Sequence, residues 1–227
     1  MCRFGTLAPV HRHPVGFFLA FVSLLAGCHL APVPHELNWD ELPRGDQRAR
    51  IVADAQGLIG SHEFRIGNRL FPYDCSGFVA AVLFKNGIDV YRGASELQIR
   101  GNGVRLLPQY VARYGMILPK GPPRPGDIVF FSHTYDRYHD GRRQNDAFTH
   151  IGIVEKIDDD GTITFIHNLH NHVTRYVMNL ARPNEFRDEN EKMLNSYLRR
   201  RRRSDTRTTS YLAGKLFAGF GSIVKDR

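Results

Sequence analysis

Apolar positions along the chain follow a helical period in the first half and a strand-like one in the second. From Asp46 the residues Ile51, Val52, Ala55, Leu58 and Ile59 fall on one face of a helix, and Gly60 stops it. Residues 61–73 carry Gly and Pro and read as a loop. A second helix is expected from about Cys75 to Lys85, with Val79, Val82 and Leu83 on one stripe and Asn86-Gly87 as its C-terminal cap. Shorter helical pieces are expected over residues 95–99 and 108–114. Pro122, Pro123, Pro125 and Gly126 close this half. Residues 127–131 and 149–157 then read as strands, and Asp158-Asp159-Asp160-Gly161 turns the second of them into a third at 162–167. Residues 172–178 continue the meander. Polar stretches at about 132–148 and 179–209 interrupt the strands before 215–224 rejoins the sheet. Helices first and antiparallel strands afterwards predict one α+β domain over 46–227.

The N-terminal segment has another character. Arg3 and Arg12 precede an apolar run from Val15 to Leu25, which is too short to span a bilayer and suits the core of an export signal. It ends on Leu25-Ala26-Gly27-Cys28, which resembles a bacterial lipoprotein signal. That resemblance implies cleavage before Cys28, acylation of Cys28, and a membrane anchor facing the periplasm. His29 stands where Asp would favour retention at the inner membrane, so the outer membrane is the expected site. Residues 28–45, with Pro32, Pro34 and Pro43, read as a tether. The formal net charge is +8, and much of the excess sits in Arg199–Arg203 and Arg207, offset locally by Asp205. That run reads as a solvated loop or frayed helix end, with contact to anionic lipid head groups or anionic wall polymer as the alternative. An exported protein does not meet nucleic acid, so none is expected as a partner.

Cysteine arithmetic isolates one thiol. Of the three cysteines, Cys2 leaves with the signal and Cys28 is acylated, so no disulfide is possible within the mature chain. Cys75 remains, at the head of a helix, where the backbone dipole favours the nucleophilic thiolate. A cysteine nucleophile needs a base, and the base needs an orienting partner. Of the 11 histidines, His150 opens the apolar strand Ile151-Gly152-Ile153-Val154, where a sheet can hold an imidazole against the helix of Cys75. His167 lies on the neighbouring strand, in reach of fixing its tautomer.

Asp74-Cys75-Ser76-Gly77-Phe78-Val79, Pro125-Gly126-Asp127-Ile128-Val129-Phe130-Phe131, Thr149-His150-Ile151-Gly152-Ile153-Val154 and Phe165-Ile166-His167 occur in that order. The set resembles NlpC-type cell-wall cysteine peptidases, which are papain-like and related to the CHAP amidases and peptidases. The resemblance implies a papain-like fold. It also implies Cys75 as nucleophile, His150 as general base and His167 as the orienting residue, with Asn168 in reserve because CHAP members carry Glu or Asn there. It implies cleavage of amide bonds in peptidoglycan stem peptides, often between γ-D-glutamate and the diamino acid. No cofactor is expected, and the protein is expected to be a monomer. Asp74, Ser76 and Tyr73 are the expected substrate contacts. Asp74 and Ser76 equally suit a helix cap.

Two departures stand out. Phe64 occupies a position where relatives carry a tyrosine whose hydroxyl holds substrate or oxyanion, and Tyr73 is the nearest phenol to replace it. Residues 132–148 form an insertion in which Asp136, Asp140 and Gly141 are spaced like a calcium loop. Tyr138 takes a ligand position and no closing Glu comes after it, so no metal is expected. His167, His170 and His172 suggest zinc less well, because His167 would face away from the other two. A hydrolase is the first functional expectation. A non-catalytic scaffold of the same fold and a thiol acyltransferase are the alternatives.

Overall fold

The computed structural model describes residues 44–101, 103–118, 121–140, 145–203 and 205–224. The signal, Cys28 and nearly all of the tether lie outside the described residues. Helix α1, Arg44–Gly57, buries Ile51 and Ala55 as its period predicts, but it ends three residues before Gly60, so Leu58 and Ile59 pack against the core from a turn. Residues 61–73, expected as a loop, instead form a small antiparallel hairpin of β1, Phe64–Ile66, and β2, Arg69–Phe71, turning at Gly67. Its inward residues Phe64 and Phe71 belong to the core. Helix α2 spans Cys75–Lys85 and is buried from Ser76 to Leu83, not on one stripe alone. Asn86 caps it, and Gly87 comes next at φ +78°.

Helix α3 covers Val90–Glu96, earlier than the expected piece at 95–99, because Asp89 caps it by accepting from the Arg92 N–H at 3.1 Å. Gly93 sits inside α3 because a Cβ there would lie 2.7 Å from the Tyr110 ring. After a 3-10 turn at Gly103–Arg105, helix α4 spans Leu106–Tyr114.

Beyond the helices lies a six-stranded antiparallel sheet with spatial order β3-β8-β4-β5-β6-β7. Its strands are β3, Met116–Leu118; β4, Ile128–Phe131; β5, His150–Ile157; β6, Thr162–Leu169; β7, His172–Asn179; and β8, Phe217–Ser222. Strand β3 has no counterpart in the sequence expectation. Short helix α5, Ala213–Leu216, leads into β8, which returns to the middle of the sheet. The domain is α+β, as expected, with helices packed on an antiparallel sheet. Among the described residues no helix is long and apolar enough to cross a membrane.

Both faces of the sheet are covered. Ile128, Phe130, Ile151, Ile153 and Ile166 pack with the helices, while Val129, Phe131, Val154, Ile163 and Phe165 point to the opposite face. Leu198, Ala213 and Leu216 close that second layer. The polar excursion at 179–209 therefore contributes to the core. Asn195, fully buried, organises it by accepting from the N–H groups of Asn179 and Gly214 and donating to the carbonyls of Arg182 and Glu185.

An ion pair ties α1 to the sheet. Arg48 donates to Asp127 Oδ1 at 2.8 Å, to the Pro125 carbonyl at 3.0 Å and to Ser222 Oγ at 2.9 Å. The other Asp127 oxygen accepts from the Arg124 N–H. Asp127 is fully buried, so its place in the Pro-Gly-Asp segment has a structural cause. Removing one partner leaves a buried uncompensated charge. Asp127→Ala is expected to cost about 3–5 kcal/mol in urea unfolding, and a loss below about 1 kcal/mol would refute this account of the ion pair.

Candidate active site

The site begins with the cap of α2. One Asp74 oxygen accepts from the Ser76 N–H at 2.9 Å, the Gly77 N–H at 2.8 Å and the Ser76 hydroxyl at 2.7 Å. Of the expected contacts, Asp74 and Ser76 thus serve the helix cap, although both also line the cleft. The cap makes Cys75 the first helical residue. Cys75 is half-buried and is the free cysteine of the described residues. Burial, and then the charge of Asp74, push its thiol up to about 12, while the N–H groups of Ile151, Cys75 and Ser76 pull the other way. The helix dipole alone therefore does not set the state of this thiol, and the resting form is protonated.

His150 enters from the start of β5. The pleat directs Ile151 and Ile153 to the helices, so it is Ile151 that packs on the α2 side. His150 shares its face with Val154, and its ring opens into the cleft at the strand's end. Its Nε2 lies 2.7 Å from Nδ1 of His167, with the rings nearly perpendicular at 88°. His167 stands behind it, fully buried against Phe165 and Tyr176. Burial, aided by the positive charge of His170 and opposed by Asp74, brings His150 down to about 3. Burial and then the charge of His150 hold His167 well below the usual imidazole range. Gly152 makes the close pairing of β5 and β6 possible, since a Cβ there would lie 2.8 Å from the Ile166 carbonyl oxygen and 3.2 Å from the His167 Cβ.

Cys75 and His150 line one cleft of about 1120 Å³. Among the described residues no hydrogen bond joins the Cys75 sulfur to either imidazole; the contact of His150 is with His167. Asn168, the reserve third residue, also faces the cleft, and its side-chain NH2 group is buried with no partner among the described residues. Tyr73 lines the cleft, but its hydroxyl is directed at the carbonyls of Ser61 and Asn171, which makes it a brace. Phe64 is buried against the Tyr73 ring.

Several cleft residues were not singled out by the sequence. The Tyr91 hydroxyl has no hydrogen-bond partner among the described residues, and burial together with the charge of Asp74, opposed by Arg69, pushes the phenol up from its usual range. Thr134, Tyr135 and Arg137 bring the insertion into the wall of the cleft. Arg200, Arg201 and Arg202 line it as well. No motif marks Tyr91, and charge alone read the arginines as solvated. Within the insertion Asp146 accepts from the Arg137 N–H and Asp140 from Asn145, while Gly141 lies outside the described residues. Among the described residues no group of three His, Cys, Asp or Glu side chains is placed to hold a metal ion.

Comparison with known families finds a CHAP domain at residues 66–168, consistent with a CHAP-related cysteine peptidase family. The matched stretch runs from the end of β1 to Asn168 and contains Cys75, His150 and His167. The match supports a hydrolase of the amidase or peptidase type acting on peptidoglycan in general. Neither a curated protein nor a solved structure matches the chain.

The buried imidazole pair has a consequence for stability. Unfolded histidines take up protons near pH 6.5, whereas folded His150 does so only near 3. The pair therefore favours the folded state above about pH 6.5, and this contribution is lost as pH falls. Urea midpoints of the protein are expected to drop between pH 6.5 and 4, and more steeply than those of a His150→Gln/His167→Asn variant. Equal slopes would refute the assignment of both rings as neutral.

Proposed function

We propose that the protein is a thiol hydrolase that cleaves amide bonds in peptidoglycan stem peptides, with Cys75 as nucleophile, His150 as general base and His167 as its positioning partner. The observation that carries this reading is the 2.7 Å contact between His150 Nε2 and His167 Nδ1 in a cleft shared with Cys75. With the Nε2–H of His150 donating to His167, Nδ1 of His150 is the nitrogen left to act as base. The resting pair is neutral, so the thiol proton passes to His150 as the sulfur attacks the carbonyl carbon. Nucleophile–base contacts are often long before substrate binds and shorten in the complex. The N–H of Cys75 and the Tyr91 hydroxyl are the donors in the cleft suited to the developing oxyanion. Collapse of the tetrahedral adduct breaks the C–N bond, and His150 delivers the proton to the leaving amine. Water then attacks the thioester with His150 as base, releasing the acid and restoring the thiol.

The same reading places the domain at the bacterial envelope. Cleavage before Cys28 and its acylation anchor the chain in the outer membrane, and the tether holds the catalytic domain in the periplasm. Fatty-acid labelling in cells is expected for the intact chain and absent in Cys28→Ala. Equal labelling of both would remove the anchor from the proposal.

Muropeptide digestion with mass-spectrometric readout tests the activity. Cys75→Ala is expected to lower cleavage at least about 10³-fold, and His150→Ala about 10²–10⁴-fold. His167→Asn keeps an acceptor for His150 and is expected to retain more kcat than His167→Leu, with a different pH profile. Full activity of folded Cys75→Ala defeats the proposal. Phe64 in place of a tyrosine, and a buried thiol with no hydrogen bond to either imidazole among the described residues, favour a non-catalytic scaffold, and wild-type protein that cleaves no muropeptide would support that alternative.

A further inference from the structure

The arginine run is a built wall of the cleft. Arg199 is only 6% exposed, with its guanidinium donating to the His133 carbonyl at 2.8 Å and to Asp205 at 3.1 Å. Asp205 also accepts from the Arg202 N–H at 2.6 Å and the Tyr211 hydroxyl at 3.0 Å. The loop is therefore tied at both ends, and the carboxylate inside it is used by Arg199. Arg200, Arg201 and Arg202 remain exposed, and among the described residues no carboxylate pairs with their guanidiniums. All three line the cleft of Cys75 and His150, where Asp74 is the sole acid among the lining residues and has one oxygen committed to the helix cap. Arg200 and Arg201 also line an adjoining cavity of about 540 Å³ with Tyr176 and Tyr197, so they stand on the wall between the two. The charge of Arg200 reaches His170 at the cleft edge and helps to lower its pKa.

We infer that Arg200, Arg201 and Arg202 form a carboxylate-binding rim that selects acidic peptides for the Cys75 cleft. The cleavage of a peptide so bound rests on the hydrolase reading, although recognition itself does not require turnover. Guanidinium groups match carboxylates in geometry and keep their charge at any relevant pH. Three of them on one concave wall raise the local concentration of anionic substrate, an effect that salt screens. A membrane surface fits less well, because these side chains line a concavity and not a flat face.

Two stem-type peptides with the same scissile amide test this, one with free side carboxylates and one with carboxamides in their place. Binding of each to Cys75→Ala protein and to its Arg200→Gln/Arg201→Gln/Arg202→Gln derivative is measured at low and high salt, and turnover is measured with Cys75 present. The Cys75→Ala protein is expected to prefer the carboxylate peptide about tenfold at low salt, less at high salt, and within about twofold once the arginines are replaced. Equal binding of both peptides, or a preference that survives the triple replacement in folded protein, overturns the inference. So does a defect seen only with phosphatidylglycerol vesicles. Selective binding without turnover would instead overturn the hydrolase reading and leave the rim standing.

Discussion

Everything at the site depends on how closely the first turn of α2 approaches the chain that leads into it. At residue 77 a side chain is impossible, since a Cβ would lie 1.8 Å from the Pro72 carbonyl oxygen. The loop from Pro72 therefore folds tightly under the helix start, and Asp74 can reach back to cap Ser76 and Gly77 while Cys75 is held at the tip. The same crowding recurs in the sheet, where Gly152 lets β6 come close enough for His167 to meet His150. Two absent side chains thus permit the close approaches that hold the thiol at the helix tip and bring the two imidazoles together.

Burial then sets the chemistry of those groups. Desolvation and the charge of Asp74 outweigh the backbone N–H groups at Cys75, and burial favours the neutral form of both imidazoles. Charge is supplied at the rim, where three arginines face the cleft with no carboxylate on their guanidiniums among the described residues. The buried groups of the cleft and the exposed arginines on its wall thus differ in charge and in solvation. The arrangement requires the second layer of the core. Leu198 and the buried Arg199 fix the excursion against the sheet and thereby place the arginines next in the chain.

Much of the fold is legible in the chain. Helix α2 has its expected bounds because it combines a capping Asp, an apolar run and an Asn-Gly stop. The β5–β6 hairpin is legible from its Asp-Gly turn between β-rich runs. The hairpin at 64–71 is not, because its strands are three residues long and its glycine and proline read as loop punctuation. Strand β3 is as short, and its pairing comes from β8, about a hundred residues away. Helix α3 is obscured by Gly93, which argues against a helix locally and is required only because Tyr110 packs on it.

The sequence alone determined that a thiol sits at the head of α2 and that two histidines sit on neighbouring strands, since residue type, periodicity and caps are local properties. It carries in the same way an ordered set of motifs that falls within the stretch matched by a CHAP domain. Tertiary structure decided that burial pushes the thiol up, that Tyr73 braces while Tyr91 faces the cleft, and that a run of arginines becomes part of the cleft wall. Desolvation and the pairing of charges depend on neighbours brought together from distant parts of the chain, and no local pattern encodes them.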